Sequence, residues 1–381
     1  MQKSHQQAWR ETFLRTVGPG ILGGITFGDW LRLLRENQFA LAPARLPRAF
    51  MITAQSLQNS LWRWLEQLRY ARAVAQVQVP PPLFVLGHWR SGTTHLHNLL
   101  TLDPRFAFPN NYQTLFPHSF LTTERMHARL VALFLPSHRP MDNVEWTMQS
   151  PQEDEFALCI ATLLSPYTAW FFPRRRAHYD RYLTFHDANT REREQWKSGL
   201  LHFVQRLTYK LQRPLVLKSP PHTGRIKLLR EIFPEAKFVH IHREPYTVFQ
   251  STRKMLLANF KLQNLQAPRW DDLDEWILRQ GRIMYDSFWV ERNLIPARHY
   301  HEIAFEDLER DPLGQLQALY ETLDLPAFEE TRPALERYLQ SLKGYEKNRF
   351  SELSADLKRR IAQEWRAYFE VWGYDTRDGL S

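Results

Sequence analysis

The chain carries, between Leu83 and Leu100, the sequence LFVLGHWRSGTTHLHNLL. An apolar run comes first, a turn with two glycines follows, and an apolar helical pattern comes last. The glycines and hydroxyl residues have the spacing of a phosphate loop, G-x-x-x-x-G-[K]-[ST], but threonine stands at position 93, where that loop has its lysine. The segment therefore predicts a strand, an anion-binding turn and a helix, and it leaves open which anion a loop without this lysine would bind.

The same succession of strand, turn and helix is predicted further along the chain. Further apolar runs at 214–217, 237–241 and 299–304 are each followed by a helical pattern. Within each run apolar residues occupy successive positions rather than every second one, which is typical of strands buried on both faces. We therefore expect an α/β fold with a P-loop-like parallel sheet of about five strands and helices on both faces, together with helical N-terminal and inserted segments.

The domain organisation is predicted from the prolines and the aromatic residues. Residues 1–79 are expected to form a helical N-terminal extension packed on the core, with the clearest amphipathic pattern at 56–75. Residues 80–381 are expected to form the α/β domain. An aromatic and proline-rich region at about 116–173 is expected to be inserted there as an acceptor-binding or lid region. Residues 106–112 fit either a short strand or a loop.

Composition limits the classes of ligand and compartment. Lys and Arg number 50 and Asp and Glu number 41, a net charge of +9 that suits an anionic ligand, nucleic acid or an acidic membrane surface. The basic residues are scattered, so nucleic acid is not expected. A single cysteine excludes an intrachain disulfide and fits a reducing compartment, so we expect a cytoplasmic protein. Residues 17–27 are a candidate for peripheral contact with a membrane.

Basic residues follow the predicted strands. Arg90, Lys218 and Arg243 each come just after a strand, where ligands of parallel sheets bind. Ser251 follows Arg243 by about two helical turns, so both side chains can reach one anion. None of these three strand ends offers the aspartate that holds Mg²⁺ in a nucleoside triphosphatase. The pattern favours a diphosphate-like ligand bound without a metal.

Together these motifs resemble the sulfotransferases that use 3′-phosphoadenosine 5′-phosphosulfate (PAPS), and the resemblance covers roughly residues 82–350. In that family an R/K-S-G-T-T loop binds the 5′-phosphosulfate, and an arginine with a serine eight residues on binds the 3′-phosphate. A later stretch near the C-terminus, here 342–350, completes the nucleotide site. The resemblance implies a donor site formed by Arg90, Ser91, Gly92, Thr93, Thr94, Arg243, Ser251, Lys347 and Asn348.

The resemblance also implies an in-line transfer of a sulfuryl group to a hydroxyl or amine. Lys218 would neutralise the charge that develops on the leaving phosphate. The general base is expected to be His222, with Glu153 and Glu155 as alternatives. Cytosolic family members have a histidine two residues after the lysine, where this chain has Pro220. A purely structural role for the glutamates would be N-terminal capping and compensation of a helix dipole.

The remaining expectations concern metals, acceptors and rival functions. No H-E-x-x-H motif or Cys/His cluster occurs, and His95 and His97 cannot share a helical face, so no metal is predicted. The acceptor is expected to be a small molecule, a lipid or a carbohydrate, and the aromatic insertion suits an apolar or ring-bearing alcohol. Two alternatives to a sulfotransferase remain: a P-loop nucleotide kinase, and a non-enzymatic peripheral membrane protein with a degenerate nucleotide fold.

Overall fold

The computed structural model describes residues 16–132, 147–267, 271–342, 350 and 352–376. Within these residues the chain forms one parallel sheet of four strands in the order β2-β1-β3-β4. The strands are β1 (Leu83–Leu86), β2 (Val216–Lys218), β3 (Lys237–His242) and β4 (Tyr300–Ala304). The predicted parallel α/β fold is therefore confirmed.

Helices make up most of the remaining structure. In chain order they are α1 (Phe27–Glu36), α2 (Leu46–Ala75), α3 (Thr93–Leu100), α4 (Asn111–Leu115), α5 (Phe120–Ala132), α6 (Asp154–Thr162), α7 (Arg176–Asp180), α8 (Thr190–Leu211), α9 (Ile226–Ile232), α10 (Pro245–Gln263), α11 (Leu273–Glu291), α12 (Phe305–Arg310), α13 (Pro312–Thr322), α14 (Phe328–Ser341), α15 (Ala355–Glu364) and α16 (Arg366–Trp372). Short 3₁₀ turns join several of them, including Pro166–Trp170 and Pro220–Gly224.

The sheet is buried on both faces. Every residue of β1 and β2, and all but the first of β3, is buried, whereas β4 at the edge is mostly half-buried. Consecutive buried residues point to opposite faces of a strand, so both faces are covered. Residues 106–112, which fit a strand or a loop, contribute two isolated bridges, one between Ala107 and Leu215 and one between Asn110 and Pro151. The described sheet therefore has four strands rather than about five.

One hydrophobic core lies between the sheet and helices α3, α13 and α14. Strand residues that belong to it include Leu83, Val85, Val239 and Ile303. The helices contribute Leu96, Leu99, Leu316, Leu319 and Leu335. This core fixes the strands whose carboxyl ends carry the candidate site residues.

The chain divides into two compact units. The helical unit comprises Met1–Val79, Pro109–Gln212 and Leu256–Trp270. The α/β unit comprises Pro80–Phe108, Arg213–Met255 and Asp271–Ser381. No helix in the described part of the chain is both long and apolar enough to cross a membrane.

The aromatic, proline-rich region at about 116–173 belongs to the helical unit. Tyr167 and Trp170 stack with their ring centroids 4.1 Å apart, and Phe156 packs against both rings. Short helices and 3₁₀ turns carry these residues, because Pro166 and Pro173 each start a new turn. Helix α2 is longer than the amphipathic pattern at 56–75, since Pro47 lies in its first turn, where proline needs no hydrogen-bonded amide.

Candidate active site

Sheet order places two loops beside each other at the carboxyl edge. The central strand β1 pairs with β2 on one side and with β3 on the other. The chain passes from β1 to β2 and then crosses over to β3, so the crevice between β1 and β3 is a topological switch point. The loop after β1, Gly87–Thr94, is called the first anion loop. The segment after β3, Arg243–Ser251, is called the second anion loop.

The first anion loop needs its two glycines. Gly92 has a φ of +104°, and a Cβ there would lie 2.3 Å from the ring of Phe305. Gly87 has a φ of +147°, and a Cβ there would lie 2.5 Å from the carbonyl oxygen of Ile241. Arg90 also adopts a left-handed conformation, with a φ of +70°. The loop therefore turns back tightly, and its backbone can closely approach a bound anion.

Side chains from distant parts of the α/β unit hold this loop. The amide of Gly87 donates to the hydroxyl oxygen of Thr223 at 2.8 Å, and the amide of His88 donates to that of Tyr285 at 3.3 Å. Within the loop, the Ser91 hydroxyl donates to the carbonyl of His88 at 2.9 Å. These bonds fix the loop before any ligand binds, which is how a preorganised anion site reduces the cost of binding.

Lys218 lies beside the start of helix α3. Its Nζ donates to the hydroxyl oxygen of Thr94 at 3.4 Å, and its side chain is buried. Helix α3 begins at Thr93, so the free amides of its first turn carry a partial positive charge. The N-terminus of the helix and the ammonium group of Lys218 therefore both favour an anion at the first loop.

The two anion loops contact each other through arginines. Nε of Arg90 donates to the hydroxyl oxygen of Ser251 at 2.9 Å. Nη1 of Arg243 lies 3.5 Å from the backbone carbonyl of Arg90, at the limit of a hydrogen bond. The guanidinium of Arg243 also lies 4.2 Å above the ring of Phe305, within range of a cation–π interaction. The sequence-predicted residues Arg90, Arg243 and Ser251 thus form one cluster.

Arg243 is half-buried but keeps its charge. Burial lowers the pKa of its guanidinium below the usual value, and the nearby carboxylates of Glu306 and Glu309 oppose that shift. A guanidinium starts from so high a pKa that it stays protonated under ordinary conditions. Arg243 therefore presents a positive charge at the carboxyl end of β3.

A pair of buried tyrosines, absent from the sequence interpretation, joins the backbones of the two loops. The hydroxyl of Tyr368 accepts from the amide of Arg243 at 3.3 Å and donates to its carbonyl at 2.9 Å. Tyr368 also packs edge-on against Tyr285, with ring centroids 4.8 Å apart, and Tyr285 receives the amide of His88. Burial raises the pKa of both phenols, so both stay neutral. The contacts therefore run from His88 through Tyr285 and Tyr368 to Arg243.

The candidate bases lie in different units. His222, in the 3₁₀ turn Pro220–Gly224 of the α/β unit, is fully buried, and its ring meets that of Phe84 edge-on at 5.5 Å. In the helical unit, Glu153 accepts a hydrogen bond from the hydroxyl of Tyr167 at 2.5 Å. Glu155 is buried there and accepts from the hydroxyl of Ser165 at 2.6 Å.

The structure brings most of the predicted donor residues together. Arg90 to Thr94, Lys218, Arg243 and Ser251 all lie at the carboxyl edge of the sheet in the α/β unit. Lys347 and Asn348, predicted to complete the donor site, lie outside the described residues. Glu153 at the start of α6 has no capping hydrogen bond from its side chain to the helix, so simple capping does not explain this residue.

Comparison with known proteins identifies the family of the chain. The model of the "Sulfotransferase family" matches residues 81–330, more than half of the chain. Two curated relatives, both named omega-hydroxy-beta-dihydromenaquinone-9 sulfotransferase Stf3, come from Mycobacterium bovis and Mycobacterium tuberculosis. Each is 38% identical over 353 residues, covering 92% of this chain and 90% of the relative.

Solved structures support the same fold. Sulfotransferase STF9 from Mycobacterium avium superposes with a TM-score of 0.68 at 21% identity, covering 90% of this chain and 91% of that one. Sulfotransferase STF1 from M. tuberculosis gives 0.65 at 18% identity, covering 90% and 92%. The family match and the extent of the 38% identity decide the assignment: the chain belongs to the sulfotransferase family and is a sulfotransferase.

Proposed function

We propose that the chain transfers the sulfuryl group of PAPS to the hydroxyl of a lipid-like alcohol. One observation carries the donor part of this proposal: the hydrogen bond from Arg90 to Ser251 joins the two anion loops. PAPS has one anionic group at its 5′ end and another at its 3′ position. Two linked cationic loops at one sheet edge match this arrangement, and a nucleotide without the 3′-phosphate would use only one of them.

The residues present fit such a donor. The left-handed turn at Gly92, where a Cβ would meet Phe305, leaves the amides at the start of α3 open to the 5′-phosphosulfate. Arg243 and Ser251 would bind the 3′-phosphate with charge-assisted hydrogen bonds. Arg90 and Lys218 supply the positive charge that a metal ion gives in nucleoside triphosphatases, so we predict that the reaction needs no metal.

The proposed chemistry is an in-line displacement at sulfur. The acceptor oxygen forms a bond to sulfur while the bond from sulfur to the bridging oxygen breaks, and 3′-phosphoadenosine 5′-phosphate leaves with the bonding electrons. The proton of the acceptor hydroxyl passes to a base of the chain. Lys218, fixed beside Thr94, would neutralise the charge that grows on the leaving phosphate. His222, Glu153 and Glu155 remain the candidate bases.

The acceptor class is inferred from the curated relatives. Their name describes an ω-hydroxylated dihydromenaquinone as the molecule that receives sulfate. This chain shares 38% of its residues with them over 92% of its length. The similarity supports an acceptor of the same chemical kind, a primary or secondary alcohol carried on a large apolar molecule.

A transfer assay tests the proposal. Purified protein would be incubated with ³⁵S-labelled PAPS and a detergent-dispersed lipid alcohol, with a short water-soluble alcohol as the comparison. We expect label to enter the lipid alcohol and the Lys218→Ala variant to lose this transfer. Lys227→Ala is the matched control, because Lys227 is an exposed lysine on the neighbouring helix α9. Labelling of the water-soluble alcohol alone would contradict the acceptor class.

A further inference from the structure

Helix α2 turns an apolar stripe toward solvent. Six large apolar residues are more than half exposed, from Leu61 at 53% to Phe50 at 77%. At 100° per residue they fall within an arc of about 60°, and they extend over roughly 33 Å of the helix. The stripe consists of Leu46, Phe50, Leu57, Leu61, Trp64 and Leu68. Scattered exposed apolar residues are ordinary, but an aligned stripe of this length marks a contact surface.

The opposite face of α2 is buried and rich in polar residues. Asn59 donates to the carbonyls of Gly23 and Ile25 at 2.8 and 3.0 Å. Arg48 donates to the carbonyl of Leu262 at 2.5 Å.

Glu66 continues this polar, buried face. It forms an ion pair with Arg206 and accepts from the amide of Thr122 at 2.8 Å. A helix of a water-soluble protein normally buries its apolar face and exposes its polar one, and α2 does the reverse along much of its length. Its outer face therefore suits an apolar or amphipathic environment.

The charges on the exposed part of α2 have one sign. Glu66 is the only acidic residue between Leu46 and Ala75, and it is buried. Arg69 and Arg72 are exposed beside the C-terminal half of the stripe. Trp64 lies in the same half, and tryptophan favours the boundary between lipid headgroups and acyl chains. Apolar residues flanked by arginines are characteristic of helices that bind anionic membrane surfaces.

We propose that the α2 stripe docks the protein on the surface of an anionic lipid bilayer, with the helix parallel to the membrane plane. This inference rests on the proposed function, because an acceptor that is a lipid-like alcohol resides in a bilayer. A second copy of this chain is the rival occupant. The exposed arginines of α2 would attract an anionic bilayer but would repel the same face of a second copy. Charge complementarity therefore favours the bilayer.

Vesicle co-sedimentation of the full chain tests this docking surface. Vesicles would contain phosphatidylcholine either alone or with 30% phosphatidylglycerol. The test variant is Leu57→Gln/Leu61→Gln/Leu68→Gln, whose side chains are exposed and therefore little needed for folding. The matched control is Val290→Gln/Leu294→Gln/Val371→Gln, which removes three exposed apolar residues of the α/β unit.

We expect the wild type to bind the anionic vesicles and the stripe variant to bind at least about 30-fold more weakly, since three leucines would no longer enter the interface. The control variant should change binding less than about twofold. Arg69→Gln/Arg72→Gln should reduce the preference for anionic over neutral vesicles. Absence of wild-type binding, or equal losses in the stripe and control variants, would overturn the proposal.

Two further measurements separate the rivals. Light scattering would reveal a dimer; a wild-type dimer that the stripe substitutions convert to a monomer, without vesicle binding, would assign the stripe to a second copy and overturn the proposal. Binding of 3′-phosphoadenosine 5′-phosphate by the stripe variant should equal that of the wild type, which shows an intact fold. Vesicle binding that persists when no lipid alcohol is sulfated would leave the docking surface standing and reject only the acceptor class.

Discussion

Arg243 is positioned through both its backbone and its side chain. Tyr368 bonds to its amide and its carbonyl, while Phe305 lies against its guanidinium. These contacts leave the side chain few alternative orientations, so little conformational entropy is lost when a phosphate binds. Substitutions at Arg243 and at Ser251 test whether the two residues bind the 3′-phosphate.

Arg243→Ala and Ser251→Ala are expected to weaken binding of 3′-phosphoadenosine 5′-phosphate more than they slow the transfer step. Hydrogen bonds to charged groups contribute about 1.5–3 kcal/mol each, so each variant should lose roughly tenfold or more in affinity. Calorimetry measures this change. Adenosine 5′-phosphate should bind both variants as it binds the wild type, and Arg359→Ala, at an exposed arginine on α15, should behave as wild type. Equal losses for both nucleotides would refute the 3′-phosphate assignment.

Lys218→Ala is expected to affect chemistry more than binding. Charge on the leaving phosphate is greatest in the transition state, so the loss should appear in kcat, by roughly 10²–10³. The affinity for 3′-phosphoadenosine 5′-phosphate should fall much less. Steady-state kinetics and calorimetry on the same preparation measure the two effects. A variant that loses affinity but keeps its kcat would make Lys218 a binding residue only.

Comparing the variants His222→Ala, Glu153→Gln and Glu155→Gln identifies the general base. Loss of a general base costs about 10²–10⁴ in rate, and only one of the three positions should show this loss in a folded variant with normal nucleotide affinity. We expect it at His222, which shares the α/β unit with Lys218. Rate loss at one of the glutamates, with His222→Ala still active, would transfer the role to the helical unit.

Helix α16 contacts the proposed nucleotide site. Its residue Tyr368 supports Arg243, and Tyr285 of α11 supports the first anion loop. The family model ends at residue 330, so α16 lies beyond the matched segment. Within this α/β unit, a helix outside the family match thus contributes to the geometry of a loop inside it.

Tyr368→Phe is expected to increase the Michaelis constant for PAPS by about three- to tenfold and to change kcat little. The variant removes both hydrogen bonds to Arg243 without removing the ring, and a net hydrogen bond contributes about 1 kcal/mol. Tyr320→Phe is the matched control, because it deletes another buried phenol, one that donates to Asp103 at 2.8 Å. If both variants lose the same stability and change the Michaelis constant equally, Tyr368 has only a structural role.

At this scale, local patterns predicted the elements well. The apolar runs at 83–86, 237–241 and 299–304 became β1, β3 and β4 within a residue at either end, because a buried parallel strand leaves a continuous signal. The tyrosine pair left no such signal, since Tyr285 and Tyr368 act on loops far away in sequence. Thr223 is similar: its bond to Gly87 depends on β1 and β2 being neighbours.

For the whole molecule, composition predicts the sign of the net charge but not where the charged residues lie. A net charge of +9 is compatible with an anionic nucleotide and with an anionic membrane. The structure locates arginines at the anion loops of the α/β unit and on the exposed face of α2 in the helical unit. The stripe on α2 was not predicted, because exposure depends on which face the rest of the unit covers. The sequence instead suggests residues 17–27 for membrane contact, but seven of these eleven residues are buried.

The most direct test of the account is a calorimetric comparison of three nucleotides on the wild-type protein. Without added metal, 3′-phosphoadenosine 5′-phosphate should bind at least about tenfold more tightly than adenosine 5′-phosphate, because only the former engages both anion loops. ATP with Mg²⁺ should bind more weakly than 3′-phosphoadenosine 5′-phosphate. Equal binding of the two adenosine phosphates, or tighter binding of ATP with Mg²⁺, would contradict a two-loop site for a 3′-phosphorylated sulfuryl donor.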